Sequence, residues 1–272
     1  LRLIGVVPTL GTTGTGSLDP VREIVDFRDK YFREKNHGFI IHVDAAYGGY
    51  AALADEEIVG HDWQAAKSQF QAIQSTESVT VDPHKLGYVP YPCGSILFRD
   101  YRDKEFVRSK APYLFHAEKE VEKPISTLDE VEYIGQFTLE GSKPGAAASA
   151  CWLVHRSTPL DRSGYGKIIA LTIKRAKELA QIIRQTQELE PINDPELNLL
   201  CFRIKGLDKK SAYDKTNLIC EKMKENHGKR RFVVSFEEND LMGPAFRVCL
   251  MNPFISREML QEFVELLLEQ LK

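Results

Sequence analysis

These 272 residues contain no Cys-x-x-Cys pair, no long apolar run and no large excess of charge of either sign. Each absence removes a class of protein. The five cysteines stand at 93, 151, 201, 220 and 249. An odd number at such spacing argues against a disulfide framework and for free thiols in a reducing compartment, the cytoplasm. No apolar stretch approaches the ~18 residues that a membrane-spanning helix needs, so no membrane partner is expected. The amino end has no signal-peptide pattern. A formal charge of −3 leaves no broad electrostatic footprint for nucleic acid. The one basic cluster, Lys229-Arg230-Arg231, reads as a solvated loop. Internal repeats and low-complexity tracts are absent. The chain opens at Leu1 inside an apolar run, which reads as a piece of a longer protein.

What remains is ordinary globular material, 43% hydrophobic and long enough to bury a sizeable core. Leu3 to Val7 has the character of a buried parallel strand. The turn Gly11-Thr12-Thr13-Gly14-Thr15-Gly16 follows, and Asp19-Pro20 looks like the cap and first-turn proline of a helix. That helix is expected to run to about Glu34 and to stop at Gly38. Phe39 to Val43, Ser78 to Val81 and Ser95 to Phe98 read as strands, and Asp62 to Ile73 as a helix. This alternation predicts a doubly wound α/β layer, with ligands beyond the carboxyl ends of its strands. Residues 110–130 read as a long loop, either a functional lid or a plain surface connection.

From about Gly164 the pattern changes. Ile168, Leu171, Leu179, Ile182 and Ile183 fall on one face of a long helix. Leu199 to Ile204, Phe232 to Phe236 and Phe246 to Leu250 read as strands, and Lys209 to Glu225 as a helix. Ser256 caps a last helix, with Ile255 placed to staple against Leu260. The expected division is residues 1–163, part of a large α/β domain with a mostly parallel sheet, and residues 164–272, a smaller α+β domain.

Two short segments carry chemistry. His42-Val43-Asp44-Ala45-Ala46 ends one strand with a carboxylate, and Asp82-Pro83-His84-Lys85 follows another with an amine. Such a pair suits pyridoxal 5'-phosphate. The lysine forms an imine with the cofactor aldehyde, and the aspartate keeps the pyridine nitrogen protonated so that the ring accepts electrons. A lysine against apolar walls and beside another cation loses its proton more readily and becomes a nucleophile. Ala46 is small enough to let a flat ring approach.

These motifs resemble the group II pyridoxal-phosphate decarboxylases, the family of aromatic amino acid, histidine, tyrosine and glutamate decarboxylases. Within it the likeness is to bacterial tyrosine decarboxylases, carried by the phrases Lys85 to Tyr91, Leu139 to Gly145 and Gly164-Tyr165-Gly166. The resemblance implies fold type I, a homodimer and decarboxylation of an amino acid, aromatic and tyrosine-like, to an amine. It also implies roles for individual residues. Lys85 would carry the cofactor, and Asp44 would pair with the pyridine nitrogen. Ala46 would pack on the ring, with Thr13 near Asp44 or the cofactor oxygen. His84 would hold the phosphate or the lysine. Tyr113, in Pro112-Tyr113-Leu114, matches the tyrosine of the family's catalytic loop and would protonate the α-carbon. The family's ring-stacking histidine and its Gly/Ser/Thr-rich phosphate loop have no match before Thr13, so this chain alone is expected to be catalytically incomplete.

Other classes compete. His42, Asp44 and His84 superficially match a two-histidine, one-carboxylate iron site, but Lys85 would bring positive charge beside the third ligand. The Gly11 to Gly16 turn lacks the Gly-Lys-Ser/Thr ending of a nucleotide-binding P-loop. A related pyridoxal lyase, glutamate decarboxylase-like or cleaving another carbon–carbon bond, shares the same aspartate–lysine logic. A non-catalytic fragment serving only assembly is the non-enzymatic alternative.

Overall fold

A computed structural model describes residues 2–108, 137–138, 143–225, 232–238 and 243–271. The first sheet contains β1 (Gly5–Val6), β2 (Ile40–Asp44), β3 (Ser78–Val81) and β4 (Ser95–Phe98), in that spatial order. β1, β2 and β3 run parallel, and β4 is antiparallel to β3. Parallel neighbours need a crossover. Helix α1 (Val21–Lys35) supplies the first; the short α2 (Glu56–Val59) and α3 (Trp63–Ala72) supply the second. Ile41, Val43, Val21, Val25, Trp63 and Phe70 belong to the core these elements enclose.

Three local expectations are corrected. β1 is an edge strand rather than a buried one, with Ile4 79% and Val7 63% exposed. Asp19 does not cap α1; its carboxylate accepts the Thr9 N–H at 2.7 Å and fastens the turn after β1. The helix is stopped at Asn36, a left-handed C-cap with φ of 49°, and not at Gly38.

The second sheet is wholly antiparallel. It contains β5 (Leu189–Pro191), β6 (Leu199–Ile204), β7 (Ser235–Glu237) and β8 (Ala245–Cys249), in the order β5-β6-β8-β7. Phe232 to Val234, expected to open a strand, precede β7 instead. Helices α5 (Lys167–Gln185) and α6 (Lys209–Glu225) pack on this sheet, and α7 (Arg257–Glu269) packs against α5. Ser256 caps α7 by accepting the Met259 N–H. In α5 the buried stripe includes Ile169, Ile173, Ala176, Ala180 and the expected Leu179 and Ile183, with Ile168, Leu171 and Ile182 only half-buried. The small alanines let the helix lie close to its neighbours, which apolar size alone did not reveal. The amino-terminal half of α5 belongs to the first core and its carboxyl-terminal half to the second.

β6 is covered on both faces. Leu200, Phe202 and Ile204 enter the second core. Leu199 and Cys201, on the opposite face, meet the Gly11 to Gly16 turn: a Cβ on Gly16 would lie 3.0 Å from Leu199, and the Cys201 thiol donates to the Gly14 carbonyl. Gly11 and Gly16 have φ of 100° and 73°, so this turn needs glycine at both positions. The turn after β1 is thereby seated on the second sheet.

Candidate active site

Asp44 ends β2 beside Thr80 of β3, in parallel register. Two hydrogen bonds carry this pairing past the strands. The Ala45 N–H donates to the Thr80 carbonyl, and the Asp82 N–H to the Ala46 carbonyl at 3.1 Å. The Asp44-Ala45-Ala46 turn and the Asp82-Pro83-His84-Lys85 turn are thus stitched together at the carboxyl ends of adjacent strands. The Asp44 carboxylate accepts the Ala46 N–H at 3.1 Å, which fixes its orientation. Gly48 makes the turn possible, because a Cβ there would run into the Leu10 carbonyl.

Lys85 is half-buried, its side chain 30% accessible, and its ammonium lies 2.9 Å from the Asp82 carboxylate. The backbone repeats the link, with the Lys85 N–H donating to the Asp82 carbonyl. His84 is held from three sides. Its Nδ1 accepts the Cys93 N–H at 3.0 Å, which leaves the ring proton on Nε2, 3.6 Å from Asp82. The Tyr91 ring lies over it at 4.0 Å between centroids. Gly87 is clamped behind them: a Cβ would press on Pro83 and Tyr50, and its carbonyl accepts the buried Tyr165 hydroxyl at 2.6 Å. Burial pushes that phenol up to about 12, so it stays a donor across the working pH range.

The remaining expected site residues are placed less closely. Ala46 is partly exposed at the turn. Thr13 is exposed, and its carbonyl accepts hydrogen bonds from both Nε and Nη2 of Arg247, on β8, at 3.0 and 2.7 Å. Tyr113 lies outside the described residues, as do Leu139 to Ser142. The iron-site alternative loses its first ligand: both ring nitrogens of His42 are engaged, by Ser78 Oγ at 2.8 Å and Thr80 Oγ1 at 3.0 Å. Among the described residues no group of three or more His, Cys, Asp and Glu side chains is placed to hold a metal ion.

Sequence reasoning missed the second sheet's part in this region. The Tyr47 hydroxyl, next to the aspartate turn, donates to Asn198 at 2.6 Å and lies 3.2 Å from the Cys249 thiol. Burial, with that thiol beside it, holds Tyr47 far above the ordinary phenol range. The Tyr88 hydroxyl donates to the Met251 carbonyl at 2.7 Å. No local signal linked Asn198, Arg247 or Met251 to the aspartate and lysine, because the contacts span 150 residues or more. A cleft of about 610 Å³ opens instead at the amino ends of the strands, lined by Ile4, Arg28, Phe32, His37, Ile40 and Glu77. It is remote from Lys85 and holds no nucleophile with a matching acid, so the hydrogen-bonded turns are the better candidate.

The residues present fit the reactive end of pyridoxal 5'-phosphate: an accessible amine, a backbone-oriented carboxylate on the neighbouring strand, and a small residue between them. Comparison with known proteins points the same way. The profile described as "Pyridoxal-dependent decarboxylase conserved domain" matches residues 2–205. An L-tyrosine decarboxylase of Enterococcus faecium is 33% identical over 90% of this chain and 42% of its own length. A probable L-aspartate decarboxylase of Pyrococcus furiosus is 30% identical over 75% of this chain and 48% of its own. The crystal structure of mouse CSAD superposes with a TM-score of 0.75 at 20% identity, covering 98% of this chain and 52% of that one. This likeness shows the fold, the fold-type-I arrangement expected from the sequence. The chain therefore spans about half the length of the relatives it matches. A profile match over residues 2–205, on a fold that brings Asp44 and Lys85 to adjacent strand ends, makes this chain a member of the pyridoxal-dependent decarboxylase family.

Proposed function

We propose that this chain contributes the lysine-bearing part of an amino acid decarboxylase, and that its substrate is an aromatic, tyrosine-like L-amino acid. The observation that carries the activity is the stitching of the Asp44 and Lys85 turns through the Ala46–Asp82 hydrogen bond. The substrate class rests on the likeness to the Enterococcus tyrosine decarboxylase. The Pyrococcus aspartate decarboxylase supports a second reading, an acidic substrate.

Pyridoxal 5'-phosphate, when bound, supplies a conjugated ring that accepts the electron pair left by departing carbon dioxide. Everything else falls to the protein. Lys85 is the amine that would hold the cofactor. Asp82 holds the Lys85 nitrogen at 2.9 Å and offers its proton a nearby acceptor. Asp44 would pair with the pyridine nitrogen and keep a proton there, and Ala46 would leave room for the ring. His84, fixed by Cys93 and Tyr91, presents Nε2–H toward Asp82 and holds the lysine turn in place. Thr13 would lie near Asp44 or the cofactor oxygen. Tyr113 returns the proton to the α-carbon. The working form is a homodimer of the complete protein in the cytoplasm; the compartment is supported by five unpaired cysteines. No helix among the described residues is long and apolar enough to cross a membrane.

The test uses the complete protein with pyridoxal 5'-phosphate. Borohydride reduction is expected to fix the cofactor covalently on Lys85, and on no other lysine, as mapped by peptide mass spectrometry. An adduct elsewhere removes the assignment. Amine release from a panel of amino acids is expected to be fastest with tyrosine. Preferential turnover of aspartate or glutamate selects the acidic-substrate reading.

A further inference from the structure

Behind the lysine turn a second cluster of reactive groups has no part in the chemistry above. Helix α4 (Ala146–Ser157) presents Ala147, Cys151 and His155 at successive i, i+4 positions, and hence on one face. That face meets the Asp82 to Gly94 turn. The Cys93 thiol donates to the Ala147 carbonyl at 3.7 Å. One helical turn further on, Cys151 Sγ lies 3.6 Å from His155 Nδ1, and His155 Nε2 lies 2.9 Å from the Tyr50 hydroxyl. Both cysteines are free thiols.

We propose that Cys93 and Cys151 form a reversible dithiol–disulfide site that ties α4 to the turn carrying His84 and Lys85. Cys93 is buried and Cys151 half-buried, so an oxidant meets Cys151 first. An Nε2–H tautomer donating to Tyr50 leaves the Nδ1 lone pair facing the Cys151 thiol, ready to take its proton. Burial lowers that imidazole from the ordinary histidine value and so favours the neutral ring. Burial and the hydrogen-bonded Cys151 beside it raise the Cys93 thiol, which suits the resolving partner rather than the attacking one. The other three cysteines are poorer candidates. Cys201 and Cys220 are sealed in the core with thiols pushed up to about 11, and Cys249 is engaged by Tyr47.

With a peroxide as oxidant, the Cys151 thiolate attacks one oxygen and the O–O bond breaks. Cys151 becomes a sulfenic acid, and the departing hydroxide takes up a proton to leave as water. Cys93 sulfur then attacks Cys151 sulfur; the S–S bond forms, the S–O bond breaks, and the Cys93 proton leaves in a second water. Two thiols lose two electrons and the peroxide gains them. Cys93 Sγ lies against the Ala147 carbonyl, one helical turn before Cys151, and side-chain rotation with a shift of α4 brings the two sulfurs to the ~2.05 Å bond length. No residue of that helix is fully buried, which leaves it free to adjust. The Cys93 backbone brackets His84 in both directions, donating to Nδ1 and accepting the His84 N–H at 3.1 Å, so a pull on Cys93 is felt directly at His84. The dithiol stands whether or not Lys85 carries a cofactor.

The reduced chain is treated with hydrogen peroxide, its remaining thiols are alkylated, and its peptides are mapped without reductant. The expected product joins Cys93 to Cys151 with a mass loss of about 2 Da, leaves the other three cysteines alkylated, and is undone by dithiothreitol. In Cys93→Ser, dimedone is expected to label a sulfenic acid at Cys151; in Cys151→Ser no intramolecular link should form. Alkylation of both Cys93 and Cys151 after oxidation of the wild-type chain, or a link from either to another cysteine, overturns the proposal.

Discussion

A carboxylate is useful beside a cofactor ring only if its orientation is fixed, and the Ala46 N–H fixes Asp44. Asp44→Asn keeps the shape and removes the charge. The expected result in the complete protein is a fall in kcat on the order of 10²-fold with the Lys85 adduct still formed, measured by amine release and borohydride trapping. A neutral amide that left kcat unchanged would show that Asp44 does not face the ring nitrogen. His155 gives a second residue-scale expectation. Burial holds its imidazole below the ordinary histidine range. As pH falls through about 6.5, the unfolded chain binds a proton there before the folded chain does, and folding stability drops. Above that range both forms are neutral and the contribution vanishes. The thermal midpoint of wild type should therefore decline between about pH 7.5 and about pH 5.5 more steeply than that of His155→Gln. Parallel slopes for the two proteins would show that His155 does not titrate in this way.

Helices and turns here depend on single polar groups. Ser256 closes the amino end of α7 through one bond to Met259, and α7 buries Leu260, Phe263, Val264 and Leu267 in the second core. Ser256→Ala is expected to cost about 1 kcal/mol in urea unfolding of the chain. This cap was legible because a serine before an apolar period of 3.6 has few other uses. Asp19 shows the limit of the same reasoning. A carboxylate before Pro20 has the look of a cap, yet it accepts the Thr9 N–H, a group that no pattern within α1 could announce. The edge position of β1 was illegible for a similar reason: apolar character is the same in a covered strand and an uncovered one.

Across the whole molecule, the two sheets meet where the candidate site lies. Arg247 reaches back more than 230 residues to the Thr13 and Gly14 carbonyls, while Tyr47 and Tyr88 reach forward to Asn198 and Met251. We regard residues 1–163 and 164–272 as two domains sharing α5, whose halves enter different cores. Arg247→Gln removes the guanidinium fork. Because the contact is partly exposed, the expected cost is about 1 kcal/mol, read as a lower urea midpoint with unchanged slope. A changed slope would mean that the two sheets had begun to unfold separately.

Local order determined a good deal. The aspartate and lysine motifs, the alternation of strand and helix through residue 98, and the change to an α+β pattern after residue 164 follow from side-chain type and period, which act over a few residues. The fold alone decided what surrounds those motifs. The Ala46–Asp82 stitch, the Cys93 clamp on His84, the Tyr165 prop beneath Gly87 and the seat of the glycine turn on β6 all join residues distant in the chain. Hydrogen bonds and close packing are short-ranged in space and indifferent to sequence separation, so only the folded chain could specify them.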